Sequence, residues 1–240
     1  MNDRFSRAAL LYGDAAIEKL HTCRVAVFGL GGVGGYAAEA LARSGIGAID
    51  LIDHDTVSVT NINRQLFALT STVGRSKAEV AAARVRDINP ECRVTAHARF
   101  FDAHTAVTFD YTAYDYIIDA VDTVTAKLLL IETARRYGVP IVSCMGTGNK
   151  QDLTALLVSD IYETSTCPLA RIMRKELKKR GIDRLTVVWS PEEPTEAQPP
   201  QDGDGLPPGR RAIPGSNAFV PPAAGLLLAQ TVVNALIGRD

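Results

Sequence analysis

The residues with the most evident capacity for chemistry begin at a glycine cluster. "GLGGVG" carries Gly29, Gly31 and Gly34 in a Gly-x-Gly-x-x-Gly spacing, with an additional Gly32 inside it. Glycines there permit a tight turn and a close backbone approach, and a helix opening at that point offers unpaired N–H groups to phosphate. Asp53 follows nineteen residues after Gly34, where an acid can accept from both hydroxyls of a ribose. Alone, this set admits a nicotinamide cofactor, a flavin or ATP. "DHDTVSVTNINRQ" then brings Asp53, Asp55, Asn61, Asn63, Arg64 and Gln65 into one segment, and Lys77 comes thirteen residues after Arg64. Two cations beside a nucleotide suit a triphosphate, because charge moving onto departing pyrophosphate needs compensation. Hydride transfer has no such need. Asp122, in "DAVDT", is a carboxylate of the kind that holds magnesium together with phosphate oxygens. Each residue also has an ordinary reading: Arg64 and Lys77 as surface cations, Asp122 as a cap of the following helix. Their joint occurrence favours a nucleotide site.

The elements that must position these residues follow from periodicity. "RVAVF" and "AIDLI" are short β-branched runs of the buried-strand type, flanking a helix that opens at the glycines and stops near Ser44-Gly45. Residues 76–88 have a helical pattern with Ser76 as cap and Asn89-Pro90 as stop. "CRVTAHA", "YDYIIDA" and "PIVSCM" are further strands, with a helix over 124–137 between the last two. Strands alternating with helices imply an α/β fold with a Rossmann-like, mostly parallel sheet and helices on both faces. Ligands of such sheets bind at the carboxyl ends of the strands. Beyond Gly148 an extension of mixed strands and helices is expected: a strand at "LTALLVS", a helix after Cys167-Pro168 and a strand at "LTVVWS". A proline-rich, aperiodic loop is expected over about 191–216. The expected organisation is one domain over 1–240, with a nucleotide-binding core at about 20–148 and a substrate-facing part at about 149–240.

Composition narrows the partners. The formal net charge is −1 over 240 residues, so any contact with nucleic acid must come from a local patch. The four cysteines form no Cys-x-x-Cys pair, so no zinc site is expected and reduced thiols in a cytoplasmic protein are. The N-terminus lacks the apolar segment of a secretory signal. The run "AFVPPAAGLLLAQTVVNALIG" is interrupted by Pro221, Pro222, Gln230, Thr231 and Asn234, so a buried core helix is expected there and no membrane partner.

"GLGGVG", "LIDHDTVSVTNINRQ", "VGRSKAEVAAARVRDINP" and "DAVDT" resemble the ThiF/MoeB/HesA superfamily of adenylating enzymes, relatives of ubiquitin-activating enzymes, over roughly residues 4–148. The resemblance implies adenylation of a carboxylate with ATP and magnesium. It places Gly32 under the phosphates, Asp53 on the ribose, Asn61, Arg64 and Lys77 on the triphosphate, and Asp122 at magnesium and the reacting phosphate. Arg7, in "RFSR", matches an arginine lent to the partner protomer's ATP site, which implies a homodimer. Many members activate the C-terminus of a ubiquitin-like sulphur carrier, and those often carry paired zinc cysteines, which this chain lacks.

"TSTCPLARIMRKELKKRGI", "VVWSPEEP", "PGSNAFVPPAAGLLLAQTVVNALIG" and the opening "RFSRAALLYG" resemble the tRNA threonylcarbamoyladenosine dehydratase branch. That implies adenylation of the threonyl carboxylate of the modified adenosine at tRNA position 37, then ring closure with net loss of water. A sulphur-transfer protein is a further partner the resemblance allows. The residues add an independent indication. Residues 171–180 hold six cations (Arg171, Arg174, Lys175, Lys178, Lys179 and Arg180) against Glu176. Leu169, Ile172, Met173 and Leu177 are expected on the buried side of that helix. Such a face is either solvated or a footprint for tRNA phosphates, which Arg210 and Arg211 would extend. Cys167, before Pro168 at the helix start, is read as structural rather than as a thioester-forming nucleophile. His21, His97 and His104 stand apart, and His54 alone lies near the nucleotide residues.

Overall fold

The computed structural model describes residues 4–196 and 214–239. The loop expected over 191–216 therefore falls mostly outside the described residues, and Arg210 and Arg211 fall wholly outside them. The strands are β1 (Arg24–Phe28), β2 (Ala48–Ile52), β3 (Arg93–His97), β4 (Tyr116–Asp119), β5 (Ile141–Cys144), β6 (Leu157–Asp160) and β7 (Thr186–Trp189). The helices are α1 (Ser6–Tyr12), α2 (Asp14–Thr22), α3 (Gly34–Arg43), α4 (Lys77–Ile88), α5 (Ala103–Ala106), α6 (Val124–Tyr137), α7 (Pro168–Lys179) and α8 (Val220–Ile237). The strands form one seven-stranded sheet in the order β3-β2-β1-β4-β5-β7-β6. Every neighbouring pair is parallel except β6 with β7.

Pleating divides the core. Val25 and Val27 face a cluster built with α2, α3, α4 and α8, whereas Ala26 and Phe28 face one built with α5 and α6. A third cluster packs α6 and α7 over Val187 and Trp189 of β7. The parallel sheet thus has helices on both faces, as parallel sheets require. Chain order reverses between β1 and β4. This switch point opens a crevice at the carboxyl ends of the strands.

Local signals explain most boundaries. The Ser76 hydroxyl accepts from the Glu79 N–H and starts α4, and Gly138, at φ +69°, ends α6. Two expectations are corrected. Residues 153–155 form a short 3-10 turn because the Asp152 carboxylate captures the Thr154 N–H, so the strand begins only at Leu157. In α7 the buried stripe is Ala170, Met173 and Leu177; Ile172 is 49% exposed, displaced one position from that stripe. By length and composition α8 could cross a membrane, yet 56% of that span is buried inside this fold, against α3 and the sheet.

α3 is also tied to α4 by charge. Buried Glu39 accepts from Arg43 Nε at 2.9 Å and from Arg84 Nε at 3.0 Å. Burial alone would raise its pKa; the hydrogen bonds from Arg84 and Arg43 outweigh that and hold it below the ordinary value. A depressed folded pKa contributes stability that is complete above the unfolded value, about 4.3, and is lost as pH falls through the folded value. Glu39→Gln is therefore expected to lower Tm at neutral pH and to flatten the acid limb below about pH 4, as read from thermal unfolding across pH.

Candidate adenylate-binding site

The turn after β1 is packed as tightly as backbone allows. Gly29 has φ +87°, and a Cβ built on it would stand 2.5 Å from the Ala120 carbonyl oxygen. A Cβ on Gly34 would stand 1.7 Å from the Gly29 oxygen. Gly34 is not among the residues that line the cavity above this turn; its lack of a side chain lets α3 start against the end of β1. Asp53, just past the end of β2, is 9% exposed and organises the turn directly. Its Oδ2 accepts from the Leu30 N–H at 2.7 Å and its Oδ1 from the Asp55 N–H at 2.8 Å. Lone pairs remain on both oxygens for a ribose.

Above the turn lies a cavity of about 480 Å³ at the carboxyl edge of β1, β2, β4 and β5. Gly29, Gly31, Gly32, Asp53, Asp55, Asn61, Arg64, Gln65, Lys77 and Asp122 all line it. Residues spread over almost a hundred positions of the chain thus converge on one space. A Cβ on Gly32 would stand 3.1 Å from Pro221 Cβ and 3.3 Å from the Arg64 carbonyl oxygen, so a side chain there would crowd this wall.

The cations are preset. Lys77, the first residue of α4, is 6% exposed, and its Nζ lies 2.8 Å from Asp55 Oδ2. Half-buried Arg64 donates to the Thr60 carbonyl at 2.9 Å and to Asn63 Oδ1 at 3.0 Å. Burial lowers its pKa from a starting value so high that the guanidinium stays charged at neutral pH. Asn61 Oδ1 accepts from the Ser58 N–H at 3.1 Å and fixes the turn that carries Arg64. His54 Nε2 lies 3.2 Å from Asp55 Oδ1, and its ring meets Phe100 edge-on at 4.7 Å. Asp53, His54 and Asp55 bring potential metal-ligating atoms within 4.8 Å of one another. Asp53 holds the two backbone N–H groups and Asp55 pairs with Lys77, so these carboxylates already have internal work. Asp122 is exposed and lines the same cavity, just before α6.

Other predicted residues lie elsewhere. Arg7 is exposed on α1 and does not line this cavity. Of the α7 cations, Arg174 donates to the Thr164 carbonyl and hydroxyl. Lys179 and Arg180 pair with Glu176 at 2.6 and 2.7 Å. Arg171, Lys175 and Lys178 are exposed. Cys167 is 1% exposed, at the start of α7. Cys144 touches the cavity, but burial pushes its thiol up to about 12, leaving no thiolate for nucleophilic work at neutral pH.

Sequence reasoning missed two features. Pro214, Gly215 and Pro221, from the C-terminal part, complete one wall of the cavity. Behind the lining residues Val121 and Cys144, Lys127 and Asp119, 1% and 0% exposed, form a buried ion pair. The available signal was a lysine inside the apolar stripe Leu130, Ile131 and Ala134 of α6.

Comparison with known proteins gives the family and the fold. Residues 5–240 match the ThiF family. The chain is 44% identical to the tRNA threonylcarbamoyladenosine dehydratase of Bacillus subtilis, over 99% of this chain and 96% of that protein. It superposes on the E. coli tRNA N6-threonylcarbamoyladenosine dehydratase in complex with AMP with a TM-score of 0.88 and 38% identity. That likeness covers 98% of this chain and 94% of the other. The same E. coli enzyme in complex with ATP gives a TM-score of 0.86 at 38% identity, with the same coverage. With the glycine turn, the acid that braces it and the cations facing it all in place, this chain belongs to the ThiF family.

Proposed function

We propose that this protein is an ATP-dependent, tRNA-modifying enzyme that adenylates the threonyl carboxylate of N6-threonylcarbamoyladenosine at tRNA position 37 and promotes its cyclisation. The observation that carries the adenylation step is the convergence of the glycine turn, Asp53, Arg64, Lys77 and Asp122 on one cavity. Similarity along the full chain to a dehydratase, rather than along the nucleotide-binding half alone, supports this choice of carboxylate.

In this reading Asp53 accepts from the ribose hydroxyls while holding the turn. Gly29, Gly31 and Gly32 let the phosphates approach bare backbone. Asn61, Gln65, Arg64 and Lys77 orient the triphosphate, and the two cations compensate charge as it builds on pyrophosphate. A carboxylate oxygen of the substrate bonds to the α-phosphorus, and the bond from that phosphorus to the β-phosphate bridging oxygen breaks. The carbamoyl group of the same molecule then attacks the activated acyl carbon. AMP leaves with the former carboxylate oxygen, a proton is released, and the nucleoside has lost one water in net terms. Tethering nucleophile and acyl group in one molecule makes the second step effectively unimolecular. Asp122 suits magnesium held jointly with the phosphate oxygens, where the ion would neutralise phosphate charge.

The reading extends to a cytoplasmic homodimer, with Arg7 serving the partner's ATP site. Its support is that Arg7 is exposed and outside its own chain's cavity. The part of the chain after Gly148 faces the tRNA, with Arg171, Lys175 and Lys178 of α7 toward the phosphates, and a sulphur-transfer protein is a further partner. The direct test is incubation with ATP, magnesium and tRNA bearing the modification, followed by digestion to nucleosides and mass spectrometry. The expected result is tRNA-dependent AMP release and a nucleoside lighter by one water. An unchanged nucleoside, together with pyrophosphate exchange that depends on a ubiquitin-like carrier, would move the assignment to carrier activation.

A further inference from the structure

We infer that Lys127 is a positioning residue of the adenylation step, acting through Asp119 to set the Val121–Asp122 wall of the nucleotide cavity. The inference rests on the function proposed above.

Lys127 does not line the cavity; it sits directly behind it. Its Nζ lies 3.1 Å from Asp119 Oδ2, 3.3 Å from Ser143 Oγ and 2.7 Å from the Cys144 carbonyl oxygen. An ammonium has three donors, and all three are committed. The Asp119 carboxylate is equally committed: Oδ2 also accepts from the Ser143 hydroxyl at 2.5 Å, and Oδ1 accepts from the Val121 N–H at 3.2 Å. One buried charge pair thereby joins α6, the end of β4, the turn that leaves β4 and the end of β5. The residues it fixes lead straight into the cavity lining: Ala120, Val121 and Asp122 from one strand end, Cys144, Met145 and Gly146 from the other.

Stability is a poor reason for such a pair. Removing two charges from water costs several kcal/mol per ion, and an apolar replacement of similar volume is often neutral or stabilising. An apolar pair, however, has no donor for the Cys144 carbonyl and no acceptor for the Val121 N–H. What the ion pair adds over an apolar core is a fixed direction for the backbone that presents Asp122. Groups that orient a ligand-bearing residue from behind typically contribute 10- to 100-fold to metal affinity or activity.

The test compares Lys127→Met, Lys127→Arg and the apolar double variant Asp119→Leu/Lys127→Met. Thermal unfolding, tRNA-dependent AMP release and calorimetric ATP affinity with and without magnesium are measured for each. The double variant is expected to stay folded, with a Tm lowered by the Cys144 carbonyl, Ser143 hydroxyl and Val121 N–H that it leaves without their partners, while AMP release falls about 10- to 100-fold. Affinity for ATP without magnesium is expected to be retained, and the gain in affinity on adding magnesium to be lost. Lys127→Arg, which keeps the charge and several donors, is expected to recover part of that gain. In an Asp122→Asn background, Lys127→Met is expected to add little, because both changes act on one wall. A folded double variant with full AMP release and a normal magnesium response would overturn the inference. So would unfolding of every Lys127 variant, which would make the pair a folding element alone. If the parent releases no AMP with tRNA, the proposed function fails, while the magnesium–ATP binding comparison still decides the role of Lys127.

Discussion

Lys77→Ala is expected to lower tRNA-dependent AMP release by roughly two to three orders of magnitude, the usual cost of deleting a group that stabilises charge developing in a transition state. Lys77 is suited to this because its ammonium is delivered from the first residue of a helix and is already oriented by Asp55 at 2.8 Å. A preset cation needs little reorganisation when charge moves toward pyrophosphate. Its deletion also leaves the Asp55 carboxylate facing the phosphates without this counter-charge, so a repulsion is added to a lost attraction. The double variant Asp55→Asn/Lys77→Ala should therefore bind ATP better than Lys77→Ala alone. The fold should respond less than the reaction: the side chain of Asp55 is 51% exposed, so it keeps access to water when the 7%-exposed Lys77 side chain is truncated. Steady-state AMP release and thermal unfolding, measured on the same preparations, separate the two effects. Undiminished AMP release from folded Lys77→Ala would remove Lys77 from the reaction.

Gly34→Ala is expected to act on the fold instead. The added methyl would have to lie 1.7 Å from the Gly29 carbonyl oxygen, and the obstacle is backbone rather than a side chain that can swing away. The turn cannot yield easily, because the N–H of Gly29 is bonded to the Ile52 carbonyl at 2.8 Å and Asp53 holds Leu30. The cost should reach or exceed the upper end of the ~1–3 kcal/mol seen for overpacking. In a chain of this size that corresponds to a Tm lower by about 6–12 °C or more. Gly31→Ala is the matched control. The nearest atom to its Cβ would be Gln65 Nε2 at 3.8 Å, so the fold has room for it. Its expected effect is weaker ATP affinity with little change in Tm, because the methyl points into space the phosphates need. Equal loss of Tm in both variants would contradict this division between a packing glycine and a ligand-facing one.

The sequence by itself determined what depends on neighbours along the chain. The strand β1, the opening of α3 at the glycines, the Ser76 cap of α4 and the span of α6 all follow from β-branched runs, caps and stops acting within a few residues. Gly32, Asp53, Arg64, Lys77 and Asp122 were legible as one site because they all fall at or just past the carboxyl ends of parallel strands or in the segments that follow. In a right-handed βαβ fold those positions converge on one edge.

Tertiary structure decided whatever depends on partners far away in the chain. Gly34 carries no mark distinguishing a glycine that faces ligand from one that accommodates the Gly29 carbonyl. Only the three-dimensional turn makes that distinction. The need for glycine at Gly32 comes partly from Pro221, 189 positions away, whose helix packs against α3. Ile172 and Ala170 exchange expected places because the direction of approach of α6 and β7, not the spacing within α7, selects the buried stripe. The Lys127–Asp119 pairing was open for the same reason: the lysine stands in an apolar stripe of α6, but whether a charge is buried and paired is set by desolvation and by the groups other strands bring to it. Periodicity records which face of an element is apolar. It does not record what stands opposite, and that is what makes Asp55 a holder of Lys77 and Asp53 a brace for the glycine turn.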